Sequence, residues 1–203
     1  MLPDKHTYIM AVICPKCRWQ YDVTLFQFGR TINCACGARV GLESRLSLRA
    51  EAELKFFADV MMHRLVRWLR MLGFDTAWED AIKDADLVRR AVVEERQILT
   101  LDRRLPHEWR VGNVLLLSSD DAFEQLREVV ERFEIQRPRR FFTRCLVCNT
   151  KLRAASESEI TEQVPDKIRE WQSEFRHCPN CKKVYWAGSH TDRMLAAVES
   201  LFG

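Results

Sequence analysis

The sequence predicts an α/β fold with a parallel sheet at its centre and a cysteine-rich module at either end. Short apolar runs alternate with amphipathic helices over residues 54–136, and all eight cysteines lie outside that stretch. The formal charge is −3 over residues 54–136, against +2 over residues 1–53 and +4 over residues 137–203. With 203 residues, 47% of them apolar, the chain can bury one sizeable core and small appendages.

These observations divide the chain into four regions. They are an N-terminal cysteine-rich module at 1–48, a central α/β domain at 53–136, a C-terminal cysteine-rich module at 141–194 and a terminal helix at 195–203. No run of about 18 apolar residues exists, so we expect no membrane span. The N-terminus MLPDKHTYIM lacks the long apolar region of a secretory signal, and we therefore expect a cytoplasmic protein.

The central domain is predicted to alternate four strands with helices. The strand-like runs are LKFFA (54–58), DTAWE (75–79), QILTL (97–101) and NVLLLSS (113–119). The helical patterns are MMHRLVRWLRMLG (61–73), DADLVRRAVVEE (84–95) and DDAFEQLREVVERF (120–133). In the first helix, an apolar face with 4-3-4 spacing comprises Met61, Leu65, Trp68 and Leu72. Strand–helix alternation with short connections implies βαβ units and therefore a parallel sheet.

Acidic residues follow the predicted strands. Asp59 ends the first strand, Asp84 begins the helix after the second, Asp102 ends the third, and Asp120 and Asp121 follow the fourth. Parallel strands end at one edge of the sheet, where ligands bind. Carboxylates gathered there repel one another unless a cation joins them, and Mg²⁺ or Mn²⁺ is the natural oxygen-binding ion. Because such an ion activates water and neutralises charge on a phosphodiester, the pattern indicates hydrolysis of that bond.

These acidic residues also have structural alternatives. Asp84, Asp120 or Asp121 can cap the helix that follows, and Arg103 or Arg104 can form a salt bridge with Asp59 or Asp102. Asp59 and Asp102 are the leading candidates for function, because a strand interior rarely ends in aspartate without a partner.

The eight cysteines form four close pairs, which are Cys14 and Cys17, Cys34 and Cys36, Cys145 and Cys148, and Cys178 and Cys181. Two-residue spacing lets one turn present two thiolates to a tetrahedral metal. Disulfides are one alternative, but they require an oxidising compartment. A redox CxxC motif is another, but it needs no second pair nearby. We predict two structural Zn²⁺ sites, each closed by four thiolates, so the chemistry must lie elsewhere.

Five ordered motifs extend over residues 54–194. They are FFAD, M-x-x-R-L-x-R-W-L-R-x-L-G-F-D, LTLDRRL, RCLVCNTKL and CPNCKKVYWAGSHTDRM. They resemble the Mut-seven C-terminal RNase domain family, which implies a PIN-like parallel sheet with helices on both faces and a C-terminal zinc ribbon. The resemblance also implies catalytic roles for Asp59, for Asp84 (with Asp86 as the alternative) and for Asp102 in Thr100-Leu-Asp102. The N-terminal zinc-ribbon-like module lies outside the resemblance and is predicted from its cysteine spacing.

Basic residues flank the predicted acidic edge. Arginines line the first helix, follow Asp102, and cluster with two phenylalanines in QRPRRFFTR at 136–144. Arginine combined with aromatic side chains suits phosphate contact and base stacking. The predicted nucleic-acid-binding residues are Arg64, Arg67, Arg103, Arg104, Arg139 and Arg140. The alternative is that these arginines belong to a solvated helix flank and a linker.

Two classes of function are compatible with this pattern. The first is a metal-dependent ribonuclease with Mg²⁺ or Mn²⁺ at the carboxylates, two structural Zn²⁺ ions, RNA as its substrate and a possible protein partner at a zinc ribbon. The second is a non-catalytic zinc-ribbon adaptor that binds RNA or protein. An adaptor has no need of carboxylates at three strand ends, so we favour the enzyme. A DNA nuclease or a transcription-type zinc-ribbon protein is a third interpretation, because no short motif here signals recognition of a 2′-hydroxyl.

Overall fold

The computed structural model describes residues 11–17, 19–22, 25–26, 31–41, 54–109 and 111–202. Residues 1–10, 42–48 and 53, which the sequence assigns to the N-terminal module and the start of the central domain, lie outside that set. Among the described residues, no helix combines the length and the apolar character that crossing a membrane requires.

Two short hairpins form the N-terminal region. Its strands are β1 (Ala11–Ile13), β2 (Gln20–Asp22), β3 (Ile32–Asn33) and β4 (Arg39–Val40). β1 pairs antiparallel with β2, and β3 pairs antiparallel with β4. Val12, Phe26 and Val40 are buried together with Cys14 and Cys34, so this region has a small apolar cluster of its own.

A four-stranded parallel sheet forms the central domain, as the sequence predicts. Its strands are β5 (Lys55–Ala58), β6 (Asp75–Ala77), β7 (Gln97–Thr100) and β8 (Val114–Leu116). Their order across the sheet is β6-β5-β7-β8, and every neighbouring pair runs parallel. All four strands therefore end on the same side, which we call the carboxyl edge.

Helices cover both faces of this sheet. They are α1 (His63–Met71), α2 (Asp84–Val93), α3 (Leu105–Trp109) and α4 (Ala122–Arg132). Phe56, Ala58 and Leu99 belong to the larger core, with side chains of α1 and α4. Phe57 and Ile98 belong to a second core with side chains of α2. Because successive strand residues point to opposite faces, consecutive apolar residues in KFFA and QIL are needed to fill both cores.

The first helix keeps three of the four predicted core positions, since Leu65 and Leu72 are buried and Trp68 packs against the larger core, but its first position differs. Asp59 caps a 3₁₀ turn over Val60–Met62, and α1 continues from that turn. Met62, rather than Met61, is buried with Leu65 in the core, whereas Met61 is 60% exposed. Met61 lies in the 3₁₀ turn, which advances three residues per turn instead of 3.6, so at this one position Met62 faces the core instead.

The C-terminal region contains a three-stranded antiparallel sheet and three helices. The strands are β9 (Arg153–Ala154), β10 (Phe175–His177) and β11 (Val184–Trp186), in the order β11-β10-β9. The helices are α5 (Glu157–Gln163), α6 (Asp166–Arg169) and α7 (Ser189–Glu199). Arg153 of β9 and Ser156 both contact the Glu159 carboxylate, which holds the start of α5 against the sheet.

The terminal helix begins six residues earlier than the predicted 195–203, so that boundary is wrong. The Gly188 N–H donates to Thr191 Oγ1 at 2.6 Å, which satisfies a free backbone donor at the start of α7. Val198 near its end is fully buried in the larger core of the central domain. The helix is therefore an outer layer of the α/β domain.

Candidate active site and metal centres

Asp59 is the buried carboxylate of the carboxyl edge. It directly follows β5 and is only 7% exposed. Its Oδ1 accepts a hydrogen bond from the Val60 N–H at 2.6 Å, and its Oδ2 accepts one from the Thr100 hydroxyl at 2.7 Å. Both donors are neutral, and they orient the carboxylate without supplying an opposite charge.

Thr100 connects Asp59 to Asp102. The Thr100 Oγ1 donates to Asp59 and accepts a hydrogen bond from the Asp102 N–H at 3.0 Å. Thr100 is the fully buried last residue of β7, so it fixes the turn that leads into Asp102. The Thr100 hydroxyl thus bonds to the side chain of Asp59 and to the backbone of Asp102, which are two of the acids predicted from the sequence.

Asp102 has a cationic partner, as one alternative from the sequence anticipates. Its carboxylate accepts hydrogen bonds from the Arg104 N–H at 2.9 Å and from the Arg104 guanidinium at 3.2 Å and 3.3 Å. The side-chain hydrogen bond from Arg104 is the main cause that holds the pKa of Asp102 below its ordinary value. The Arg104 side chain is 78% exposed, so this pair is accessible to solvent.

Asp84 lies in the first turn of α2 and is exposed. The helix is capped by the backbone of Lys83, so Asp84 is not its N-cap residue. The hydrogen bond with Asp102 is the main cause that raises the pKa of Arg104, and the charge of Asp84 adds to it. Asp86 instead forms a salt bridge with Arg89 at 3.0 Å on the same helix.

The two acids after β8, Asp120 and Asp121, differ in their surroundings. Asp121 caps α4, because its Oδ1 accepts the N–H groups of Phe123 at 2.9 Å and Glu124 at 3.0 Å. Asp120 is exposed.

The carboxylates of the carboxyl edge are less tightly grouped than the cysteines. Among the described residues, only the two cysteine sets bring together three or more Cys, His, Asp or Glu ligand atoms within 4.8 Å of one another. The carboxylates of Asp59, Asp84 and Asp102 therefore form a looser arrangement than those sets.

The arginines of the predicted nucleic-acid surface differ in environment. Those that are exposed are Arg64 and Arg67 on α1, Arg103 and Arg104 after β7, and Arg139 and Arg140 after α4. Two others from the same sequence clusters, Arg70 and Arg144, are 4% and 6% exposed. Arg137 forms a salt bridge with Glu199 and lies over the Phe141 ring at 5.4 Å.

The C-terminal cysteine set brings its four sulfurs together. Cys145 Sγ lies 3.4 Å from Cys181 Sγ, and Cys148 Sγ lies 3.3 Å from Cys178 Sγ. The Cys148 and Cys181 N–H groups each donate to the first sulfur of their own pair at 3.4 Å. Although burial acts in the opposite direction, hydrogen bonds with Thr150 and Cys178 lower the pKa of Cys148 to about 5. Four converging sulfurs, one favoured as thiolate, match the donor set of structural zinc.

The N-terminal set has the same character despite its unusual spacing. Cys14 Sγ lies 3.5 Å from Cys36 Sγ, and Cys17 Sγ lies 3.4 Å from Cys34 Sγ. Hydrogen bonds with the Cys36 backbone and the Tyr21 hydroxyl lower the pKa of Cys34 to about 6. Both sets can therefore hold a zinc ion, as the spacing predicts.

Comparison with known proteins bears on the central and C-terminal regions. The family model described as the Mut7-C RNAse domain matches residues 54–198, which is well over half of the chain. The protein belongs to the Mut7-C RNAse domain family. No curated protein and no solved structure matches it. The family assignment from the sequence motifs is thus confirmed.

The Mut7-C match spans two regions that contact each other closely. The segment 142–149, which we call the Cys145 knuckle, lies against α1 and β6. Arg70 of α1 donates to the carbonyls of Leu146 at 3.1 Å and Val147 at 2.7 Å. The side chain of Asn149 accepts from the Thr76 N–H at 3.1 Å, so the knuckle covers the outer edge of β6.

Asp75 gathers the remaining polar contacts of this Mut7-C interface. Its carboxylate accepts hydrogen bonds from Arg96 at 2.6 Å and Asn149 at 2.8 Å, and it lies 3.4 Å from the Arg144 guanidinium. Burial acts to raise the pKa of Asp75, but these partners hold it below its ordinary value. Sequence reasoning missed Arg70, Asp75 and Arg144 as interface residues. The available signal was their place inside the ordered family motifs.

Proposed function

We propose that the protein is a metal-dependent ribonuclease that hydrolyses RNA phosphodiesters at the carboxyl edge of a PIN-like sheet. Membership of the Mut7-C RNAse domain family supports a nuclease. The proposed ligands of Mg²⁺ or Mn²⁺ are Asp59, Asp84 and Asp102. Carboxylate oxygens are the donors that these hard ions prefer.

The observation that carries the proposal is the Asp59–Thr100–Asp102 connection. Asp59 and Asp102 follow neighbouring parallel strands, and Thr100 bonds to the carboxylate of the first and to the backbone of the second, so both acids lie at the carboxyl edge. A metal ion at the carboxyl edge would offset the charge of these acids.

The chain's own residues would divide the work. The Thr100 hydroxyl orients Asp59 and positions the turn that carries Asp102. Arg104 is exposed and can move from Asp102 to a substrate phosphate, which frees that carboxylate. Exposed Arg64 and Arg67 would contact the RNA backbone. The bound ion would activate water and neutralise charge on the phosphodiester.

Substitution of the acids tests the proposal. Asp59→Asn and Asp102→Asn should each lower cleavage of RNA in Mg²⁺ or Mn²⁺ by more than about a hundredfold, since even indirect partners of a metal ligand change activity by roughly 10- to 100-fold. Both variants should stay folded by circular dichroism, because removing charge from an acidic edge relieves repulsion. A panel of RNAs and single-stranded DNAs identifies the substrate.

Matched variants sharpen that test. Asp84→Asn should impair cleavage and Asp86→Asn should not, because Asp86 is occupied by Arg89. Asp166→Asn removes a carboxylate that forms a salt bridge within α6, and it should leave the rate unchanged. Cleavage at the wild-type rate by Asp59→Asn or Asp102→Asn would show that the active site lies elsewhere. Unfolding of both would show that these acids are structural.

One observation favours a second function, a non-catalytic adaptor that binds RNA or protein. The carboxylate of Asp102 is already neutralised by Arg104, as in a structural salt bridge. An adaptor would bind RNA or a protein and release no product on any substrate of the panel, with or without Mg²⁺ or Mn²⁺. Arg104→Ala separates the two functions. The cleavage rate of a nuclease should change in this variant, whereas an adaptor has no cleavage rate to change.

A further inference from the structure

A tryptophan stands beside Asp59 at the carboxyl edge. Trp78 directly follows β6, and the register that pairs Ala77 with Phe57 places Trp78 at the level where β5 ends. The Trp78 Nε1 donates to the Val60 carbonyl at 3.0 Å, immediately next to the candidate metal ligand. This hydrogen bond holds the indole in one orientation, while the ring stays partly exposed.

His63 supplies a second ring at the same place. The centroids of His63 and Trp78 lie 6.4 Å apart with their planes at 52°. His63 is exposed at the start of α1, and Met61 before it is 60% exposed. Trp78 packs against the larger core but stays partly exposed, so core packing covers only part of the surface that these rings and the Met61 thioether offer.

Positive charge adjoins these rings. Arg64 and Arg67 follow His63 on α1, and both are exposed. Ring surfaces next to arginines are the combination that binds single-stranded nucleic acid, because bases stack on the rings while phosphates contact the cations. A ring already fixed by a hydrogen bond loses little conformational entropy when a base stacks on it.

We propose that Trp78 and His63 form a nucleobase subsite, on which one base next to the cleaved phosphodiester of single-stranded RNA stacks. The inference rests on the proposed function, since it assigns the subsite to the substrate of the Asp59 edge. Stacking is tolerant of base identity, so the subsite selects an unpaired base rather than a sequence. A duplex, whose bases are already stacked, would not occupy it.

Binding of RNAs with a missing base tests the subsite independently of catalysis. The probes are one short single-stranded RNA and a set of otherwise identical RNAs. Each RNA of the set has an abasic site at a different position. Affinity is measured with the full-length protein, without added Mg²⁺ or Mn²⁺. The wild-type protein should lose about fivefold or more in affinity when one particular position is abasic, the lower end of what stacking a base contributes.

Variants assign that loss to the two rings. Trp78→Leu and His63→Ala should bind the intact RNA about fivefold more weakly or worse and should no longer distinguish it from the RNA abasic at that position. His63→Phe keeps a ring and should retain the distinction. Trp171→Leu removes an indole that is 59% exposed in the C-terminal region, and it should behave as the wild type does. If Trp78→Leu does not fold, exposed His63→Ala carries the same test.

The two proposals can fail separately. Equal affinity of the wild-type protein for the intact RNA and every abasic RNA would overturn the subsite, and so would an unchanged distinction in folded His63→Ala and Trp78→Leu. Neither result affects the expected loss of cleavage in Asp59→Asn. Conversely, wild-type cleavage by Asp59→Asn would overturn the proposed active site, whatever the binding data show.

Discussion

At the scale of single residues, the same side chain takes opposite roles on one helix. Arg64 and Arg67 of α1 are exposed, whereas Arg70 is buried and makes four hydrogen bonds to carbonyl oxygens. Two of these go to Thr76 at 3.0 Å and 2.9 Å, which ties α1 to β6. The planar guanidinium suits this role because its donors point in fixed directions.

Arg70→Met should therefore destabilise the protein by about 3 kcal/mol, because it leaves the carbonyls of Thr76, Leu146 and Val147 without their donor. Arg70→Lys should recover only part of that loss, since an ammonium group cannot reproduce the fork. Urea unfolding in saturating zinc measures both.

Arg67→Met on the same helix is the control, and it should change the free energy of unfolding by no more than about 0.5 kcal/mol because its side chain is exposed. An equal effect at the two positions would show that the Arg70 hydrogen bonds contribute nothing specific.

At the scale of elements, the Cys145 knuckle is part of the central domain as much as of the C-terminal one. It protects the edge of β6, and its backbone meets α1 where that helix ends. The Phe142 N–H donates to the Met71 carbonyl at 2.8 Å, and Arg144 Nε donates to the Gly73 carbonyl at 3.1 Å. Gly73 has a φ of +96°, and a Cβ there would lie 2.8 Å from Thr143 Oγ1. Only glycine fits that close approach without strain.

Loss of the C-terminal cysteine set should therefore weaken the sheet. We expect about two zinc ions per chain by elemental analysis, since there are two four-thiolate sets, and about one in Cys178→Ser or Cys34→Ser. Cys178→Ser should also lower hydrogen-exchange protection in α1 and β6, because zinc binding energy contributes to folding of the knuckle that contacts them.

Cys34→Ser is the matched variant. Cys34 is buried in an apolar cluster whose residues all belong to the N-terminal region. Hydrogen-exchange protection in α1 and β6 should therefore stay as in the wild type. If Cys178→Ser retained two zinc ions, the C-terminal zinc site would be contradicted. If the wild-type protein held only one zinc ion, one of the two predicted zinc sites would be contradicted.

At the scale of the whole molecule, the central domain is acidic and the C-terminal region is basic. The central stretch 54–136 carries −3 and residues 137–203 carry +4. In the segment QRPRRFFTR (136–144), Arg144 is buried and Arg137 forms a salt bridge with Glu199. Phe141 and Phe142 pack against the larger core, which leaves Arg139 and Arg140 exposed, and contact of these two arginines with an RNA backbone stays a prediction.

Arg139→Ala combined with Arg140→Ala should weaken RNA binding about equally for different sequences, because phosphate contacts carry no base information. The dependence of log affinity on log salt should become shallower by roughly 0.7 for each phosphate that the variant no longer neutralises. The cleavage step under saturating enzyme should change much less, since such arginines bind ground state and transition state alike.

The control removes two arginines that are engaged with acids of their own helices. Arg89→Ala combined with Arg127→Ala makes the same change in net charge and should leave the salt dependence unchanged. Unchanged affinity with a collapsed rate in the Arg139 and Arg140 variant would place these residues in the active site. Equal effects of the two double variants would leave only a general effect of charge.

The sequence by itself determined the features that depend on local pattern. Strand–helix alternation was sufficient for the four-stranded parallel sheet, and cysteine spacing was sufficient for both four-sulfur sets. The ordered motifs were sufficient for the family. Asp59 and Asp102 follow neighbouring parallel strands, so their common edge also follows from chain order. Their catalytic roles, with that of Asp84, stay predictions.

Only the tertiary structure decided which of several similar residues is buried or paired. The 3₁₀ turn moved the buried position from Met61 to Met62, and α7 began at Ser189 because Thr191 bonds to Gly188. Arg70 meets a carbonyl 76 residues away, and Trp78 meets the backbone beside Asp59. Such pairings depend on how separate elements dock, and periodicity within one element carries no information about its partner.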